Sequence, residues 1–317
     1  EGAGESVGEG EGEGGDVARR LAADSLVDIG VNLTNRAFKK DAAEVVARAA
    51  LAGVSPLMLT GTSVKASRES RDLSHRLCIE TPAMMKQIQT GEISGPPELY
   101  FTSGVHPHDA KSWTASTRDE LRTLAADPRC VAIGECGLDF NRDFSPRDVQ
   151  EHALREQLEL ACELGMPLFL HERDAHERMM AVMAPFLGLD GTTERRLPPA
   201  VIHCFTGSAA AAAQYVAVGL YVGLTGTICM EERGRHLREE VLPLIPLDRL
   251  MLETDAPFMH PTKQGRNSRC EPHHTVDVCM KVAEVLGVEV EVAAAATTTN
   301  ARSVFRLDHA RARAGGR

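Results

Sequence analysis

The feature that most constrains the fold is an alternation. Short apolar runs at 26–32, 56–60, 99–105, 130–135, 167–171, 200–203, 220–224 and 249–253 are separated by longer stretches with helical spacing. Each run is rich in Val, Ile, Leu or Phe and has the length of a strand buried on both faces. The spacing predicts helices over 37–52, 63–79, 117–126, 148–164, 174–187, 208–218, 233–242 and 273–286, and a last one over 290–305. Eight strand–helix repeats predict a closed TIM-type (β/α)8 barrel of the α/β class. An open doubly wound sheet is the alternative, but it carries a Gly-rich phosphate loop after its first strand, and Asp28-Ile-Gly-Val-Asn-Leu-Thr34 is not one. The barrel is expected over 24–307. Residues 1–23, mostly Gly and acidic, are expected to be disordered, 308–317 to be a flexible tail, and 81–97 to be an inserted loop.

The net charge is −10, yet six acidic residues fall within the first sixteen, so the barrel itself is only mildly acidic. That excludes a protein that grips long duplex DNA by neutralising many phosphates. A nucleic-acid substrate here calls for metal ions as the local source of positive charge. No apolar run is long enough for a membrane span, and no signal-peptide core is present. The eight cysteines include no CxxC pair and fit free thiols in a reducing compartment. The expected location is cytoplasmic; without an initiator Met in the chain, a nuclear or organellar one stays open. Oligomeric state is not readable. Aromatic residues are only 4% of the chain, with one tryptophan, Trp113, so a long base-stacking platform is not expected. Trp113 either stacks one base or packs into the core.

Chemistry collects where the apolar runs end. Glu135, His171, His203 and Asp255 each close a different run. In a barrel of this type all strand C-termini open on one mouth, so the four side chains are expected to converge there. Taken singly, a strand-end His is more often a hydrogen-bonded structural residue and an Asp a helix cap. Two imidazoles and two carboxylates on four strands at one end instead suit a divalent metal such as Zn²⁺, Mn²⁺ or Mg²⁺. His106 and His108 follow the third run and are candidates for binding a phosphate or protonating a leaving oxygen. Arg173, two residues past His171, is a candidate phosphate contact or a helix-start ion pair. His171-Glu-Arg-Asp-Ala-His176 is not a zinc-protease HExxH motif, because its second His falls at i+5. His176 is expected at the surface or behind the site.

Five ordered segments resemble signatures of the TatD family. They are Asp28 to Thr34, Gly104-Val-His-Pro-His-Asp109, Ala132-Ile-Gly-Glu-Cys-Gly-Leu-Asp-Phe-Asn141, His203-Cys-Phe-Thr-Gly207 and Leu252-Glu-Thr-Asp-Ala-Pro257. The resemblance runs from about 26 to 305 and implies a metal-dependent hydrolase barrel acting on nucleic acid, typically as an exonuclease. By motif, Glu135 resembles a carboxylate able to bridge two metals, and His171 and His203 resemble imidazole ligands. Asp255 resembles the ligand that also orients the attacking water, and His106 a substrate contact. Many relatives carry His-x-His at the end of the first strand, where this chain has Gly30 and Asn32. An oxygen-rich site holding labile Mg²⁺, as one or two ions, is therefore expected, with Asn32 offering its amide oxygen. Arg269-Cys-Glu-Pro272 stands where relatives have Arg-Asn-Glu-Pro. The implied substrate is single-stranded DNA or RNA. The alternatives are a D-aminoacyl-tRNA deacylase, or another ester hydrolase, on the same metal site, and a non-catalytic binding barrel.

Overall fold

In the computed structural model the described residues are 26–77, 89–90, 97–189, 191, 194–262 and 268–315. Residues 1–23, expected to be disordered, and most of 81–97, expected to be an inserted loop, lie outside them. Eight strands follow one another around a single sheet in sequence order: β1 (Leu26–Val31), β2 (Val54–Leu59), β3 (Leu99–Ser103), β4 (Cys130–Asp139), β5 (Leu168–Arg173), β6 (Ala200–Ile202), β7 (Tyr221–Leu224) and β8 (Leu250–Leu252). Each pairs with the next in parallel. The circle closes between the ends of β8 and β1. The Asp255 amide donates to the Gly30 carbonyl, and the Asn32 amide to the Ala256 carbonyl, both at 2.8 Å.

Alternation along the strands makes two cores. Val27, Ile29, Met58, Tyr100, Phe169, Val201 and Met251 form one apolar cluster within the barrel. Strand neighbours such as Leu57, Leu99, Ile133, Leu170 and Leu252 belong to the larger one shared with the surrounding helices. These are α1 (Ala42–Leu51), α2 (Val64–Leu77), α3 (Thr117–Ala125), α4 (Arg147–Leu164), α5 (His176–Leu187), α6 (Ala209–Ala217), α7 (Thr275–Leu286) and α8 (Val290–Phe305). The helix predicted over 233–242 is instead a π turn at Leu237–Val241 and a 3-10 turn at Leu242–Leu244. Pro243 and Pro246 remove the amide donors a continuous helix needs.

The stretch read as a loose tail is helical. A ninth segment, α9 (Leu307–Gly315), follows α8. Leu307 and Ala310 are fully buried and join the inner barrel cluster. The Tyr100 hydroxyl donates to the Leu307 carbonyl at 3.1 Å, and Arg311 pairs with Glu98 at 2.8 Å. The burial of these few side chains, rather than helix propensity, is what holds the segment.

α4 does more than cover the sheet. It runs 18 residues and stops at Gly165, whose positive φ of 59° suits a left-handed helix cap. Two of its glutamines are buried. Gln157 Oε1 accepts from the Val105 amide at 2.8 Å, and its Nε2 donates to the Val105 carbonyl at 3.1 Å. Gln150 Oε1 accepts from the Asp139 amide at 2.9 Å. The loop carrying His106 and the end of β4 are thereby fixed to one rigid helix.

Candidate metal centre

Glu135 lies within β4, His171 within β5, His203 just past β6, Asp255 just past β8 and His106 just past β3. All five line one cavity of about 460 Å³ at the C-terminal mouth, together with His108 and Arg173. The parallel topology thus brings every site residue named from sequence to one place. β4 runs past its expected end at Glu135, because 136–139 pair with β5. A Cβ on Gly134 would meet the Phe169 carbonyl oxygen at 2.2 Å, and φ is +135° there, so only glycine fits before Glu135.

One oxygen is the hub. Glu135 Oε1 lies 2.7 Å from His203 Nε2, 3.1 Å from His171 Nδ1 and 3.2 Å from His106 Nε2. Burial alone would raise the Glu135 pKa, but the His106 and His203 imidazoles hold it well below the usual carboxylate range. Burial works against a charged His203, and Glu135 with Glu253 overcomes it, pushing that pKa well above the ordinary value. His171 is likewise raised, since Asp139 and Glu135 outweigh its burial. For His106 burial wins and the pKa falls. Burial carries Asp255 up to about 7, opposed by His203 and reinforced by Glu135 and Glu253.

Donor atoms of His106, Glu135 and His171 lie within 4.8 Å of one another, a spacing that can hold a metal ion. His171 turns Nδ1 toward this hub and its buried Nε2 toward Asp139 Oδ2 at 3.5 Å, so Asp139 orients the ring. Three imidazoles around a carboxylate, with a second carboxylate in the same cavity, are a donor set that suits a divalent cation. His106, expected to face the substrate, therefore stands within ligand range. Asn32 lines the same cavity, and its Nδ2 donates to Asp255 Oδ1 at 2.8 Å, so it orients that carboxylate.

Several residues behind the centre escaped the sequence reading. Glu253 is fully buried, with Oε2 3.3 Å from His203 Nδ1. The strand period marks it: Met251 points into the barrel, so Glu253 does too. Gly30 makes room for it, since a Cβ there would lie 2.2 Å from Glu253 Oε2. The missing side chain at Gly30 is thus matched by the Glu253 carboxylate. Asp139 Oδ2 accepts from His108 Nε2 at 2.7 Å and faces His171 Nε2 at 3.5 Å. Asp28 is buried under the β1–β8 closure, where its Oδ2 accepts from the Thr254 hydroxyl at 2.6 Å. Burial pushes Asp28 up to about 8 despite the Thr254 bonds.

Other candidates resolve as structural. His176 starts α5, 2.9 Å from Gln214 Oε1. Trp113 packs against the helical core. Arg269 and Glu271 form a clamp with Asp41 and Arg48, and the Cys270 between them is buried. The described cysteines are free thiols.

This barrel and the cluster at its mouth define a metal-dependent hydrolase of the TIM-barrel type. The chain belongs to the TatD family: the model of the "TatD related DNase" family matches residues 27–306. It is 42% identical over 285 residues to a 3′-5′ ssDNA/RNA exonuclease TatD of Escherichia fergusonii, covering 89% of this chain and 99% of that one. It is 44% identical to the protein of the same name from Enterobacter lignolyticus, covering 88% and 98%. Among solved structures, a TatD homologue from Escherichia coli K12 superposes with a TM-score of 0.71 at 27% identity, over 89% of this chain and 98% of that one. An Entamoeba histolytica TatD-family hydrolase gives 0.73 at 23% identity, over 89% and 98%, a likeness of fold. No helix among the described residues is long and apolar enough to cross a membrane.

Proposed function

We propose that this protein is a metal-dependent exonuclease that hydrolyses phosphodiester bonds of single-stranded DNA or RNA from the 3′ end. The observation that carries the reading is the convergence of His106, His171 and His203 on one oxygen of Glu135. The relatives named 3′-5′ ssDNA/RNA exonuclease support the substrate class.

Glu135, His171, His203 and Asp255 hold the ion, with His106 within reach of it. We assign Mg²⁺, because Glu135 and Asp255 offer oxygen and the cavity leaves space for the waters Mg²⁺ retains. The imidazoles make Mn²⁺ or Zn²⁺ workable replacements. When bound, the ion supplies Lewis acidity and positive charge beside the phosphoryl oxygens. Asp255, held by Asn32, accepts the proton of the attacking water. Glu253 receives Nδ1 of His203 and so directs Nε2 to the centre. His108 and Arg173 face the substrate phosphate from the rim.

The test is purified protein with 5′-labelled single-stranded DNA, RNA and D-aminoacyl-tRNA, with Mg²⁺, Mn²⁺ or Zn²⁺ and with a chelator. A ladder shortening from the 3′ end, abolished by chelation, is expected. No cleavage of either nucleic acid with any of the three ions overturns the reading, and deacylation alone replaces it with the ester-hydrolase one.

A further inference from the structure

The mouth carries a set of cations of which the reaction above uses only Arg173. Arg142 in the turn after β4, Arg173 at the end of β5 and Arg233 after β7 all line the cavity. None forms an ion pair with another described residue. Other arginines behave differently: Arg118, Arg147, Arg178 and Arg196 each sit on a carboxylate. Three guanidinium groups without carboxylate partners around an acidic metal centre are cations held ready for an external anion.

Two phenylalanines flank them. Phe144 and Phe258 are 55% and 50% exposed, and they are the aromatic members of the exposed large hydrophobic set. Phe38, Phe101, Phe169, Phe205 and Phe305 are fully buried by contrast. Phe144 lies beside Arg142 on the β4 turn, edge-on to His108 with ring centres 4.7 Å apart. Phe258 lines the cavity three residues past Asp255. Because the strands follow in order, the rim from β4 to β8 carries Arg142 and Phe144, then Arg173, Arg233 and Phe258 in projection. The turn bearing Arg142 is pinned: its amide donates to Asp139 Oδ1 at 2.9 Å.

We propose that the β4-to-β8 side of the mouth is a track for a single nucleic-acid strand. Arg142, Arg173 and Arg233 hold its phosphates, and Phe144 and Phe258 stack a base at either end. Exposed apolar rings are unfavourably hydrated, a cost that base stacking relieves, and stacking serves any base because each has a π face. A duplex keeps its bases inside and cannot use the rings, so the track selects single strands. The inference rests on the exonuclease reading for the substrate class.

The experiment measures binding of a labelled, hydrolysis-resistant phosphorothioate oligothymidylate to wild-type protein, Phe144→Leu, Phe258→Leu and Arg233→Ala. Leucine keeps the apolar volume and removes the π face. Removing one base near the 3′ end should weaken wild-type binding at least about fivefold. In at least one Leu variant the intact strand should bind as weakly as the abasic strand binds wild type, with little further loss from base removal. Arg233→Ala should lower the slope of log affinity against log salt by about 0.7. Unchanged affinity in both Leu variants, or an unchanged salt slope, overturns the track. Cleavage by the wild type is scored separately. Normal cleavage with unaltered variant binding removes the track alone, whereas absence of cleavage removes the exonuclease reading.

Discussion

The Glu253 carboxylate stands 3.3 Å behind Nδ1 of His203, while Nε2 of the same ring is 2.7 Å from Glu135. A histidine fixed at both nitrogens presents one tautomer and one orientation to the cavity. Glu253 also accepts the Cys204 amide, so it anchors the backbone just past β6 as well as the ring. The carboxylate–imidazole arrangement is a common way to raise ligand basicity without adding a ligand.

Glu253→Gln should therefore reduce metal affinity or turnover by about 10–100-fold, with the barrel still folded. The amide keeps the volume and loses the charge opposite His203. Calorimetric metal titration beside steady-state rates measures both. Wild-type affinity and rate together would show that His203 is oriented by something else.

Gly30→Ala tests the same carboxylate from the other side. Its Cβ would lie 2.2 Å from Glu253 Oε2 and 3.2 Å from the Phe169 ring. Glu253 must move, and overpacking of this kind costs about 1–3 kcal/mol. The variant should melt at a lower temperature and share the metal-affinity loss of Glu253→Gln. A normal melting curve with normal metal binding would mean that the space at β1 is wider than these distances describe.

His106→Ala should lower metal occupancy as well as rate. His106 Nε2 is 3.2 Å from the hub oxygen and its donor atom lies within 4.8 Å of those of Glu135 and His171. Sequence alone pointed to a substrate role for it; the distances put it within ligand range of the cluster. Elemental analysis of the purified variant decides. Full occupancy with a rate loss of at least about a hundredfold returns His106 to the phosphate.

How much could be read from the sequence follows from what each inference needs. Glu135, His171, His203 and Asp255 end apolar runs, and a parallel barrel turns all such ends the same way. Their assembly therefore required only the strand count and direction. Asp139 was hidden, because it sits four residues beyond the expected end of β4 and counts as strand only through pairing with β5. Asp28 and Thr254 lie 226 positions apart, and nothing local announces their bond. α9 was unreadable for another reason. Its inward contacts are Leu307 and Ala310, too few for a periodic signal, and the surface they bury against exists only once the barrel has closed. Phe144 and Phe258 differ from the other phenylalanines in exposure alone, which is a tertiary property.

Leu307→Ala examines that lower closure. Leu307 is fully buried beneath the barrel, on the opposite side from the mouth. Truncating a buried leucine costs about 2–5 kcal/mol. Denaturant unfolding should show that loss, while metal affinity of the remaining folded protein stays at the wild-type value. A loss below about 1 kcal/mol would mean that α9 detaches without consequence for the barrel.

The clamp of Asp41, Arg48, Arg269 and Glu271 predicts how stability depends on acid. Arg48 Nε lies 2.8 Å from Glu271 Oε2, and Arg269 Nη2 lies 2.7 Å from Asp41 Oδ2 while also bonding Glu271. Burial would raise Glu271, but His273, Arg48 and Arg269 hold it well below the usual carboxylate range. The Arg269 hydrogen bond lowers Asp41 as well. Folded values below unfolded ones mean that these carboxylates contribute stability in full above their unfolded pKa values, near 4. The contribution is lost as pH falls through the lower folded values. Glu271→Gln should cost about 1–2 kcal/mol at neutral pH, less than a fully buried pair because Arg48 is 43% exposed. The difference from wild type should be constant from pH 7 to about 5 and shrink steadily below about 4. Urea unfolding at a series of pH values measures it. A gap that widens with acid would reverse the sign of the shift and remove the clamp as the source of acid sensitivity.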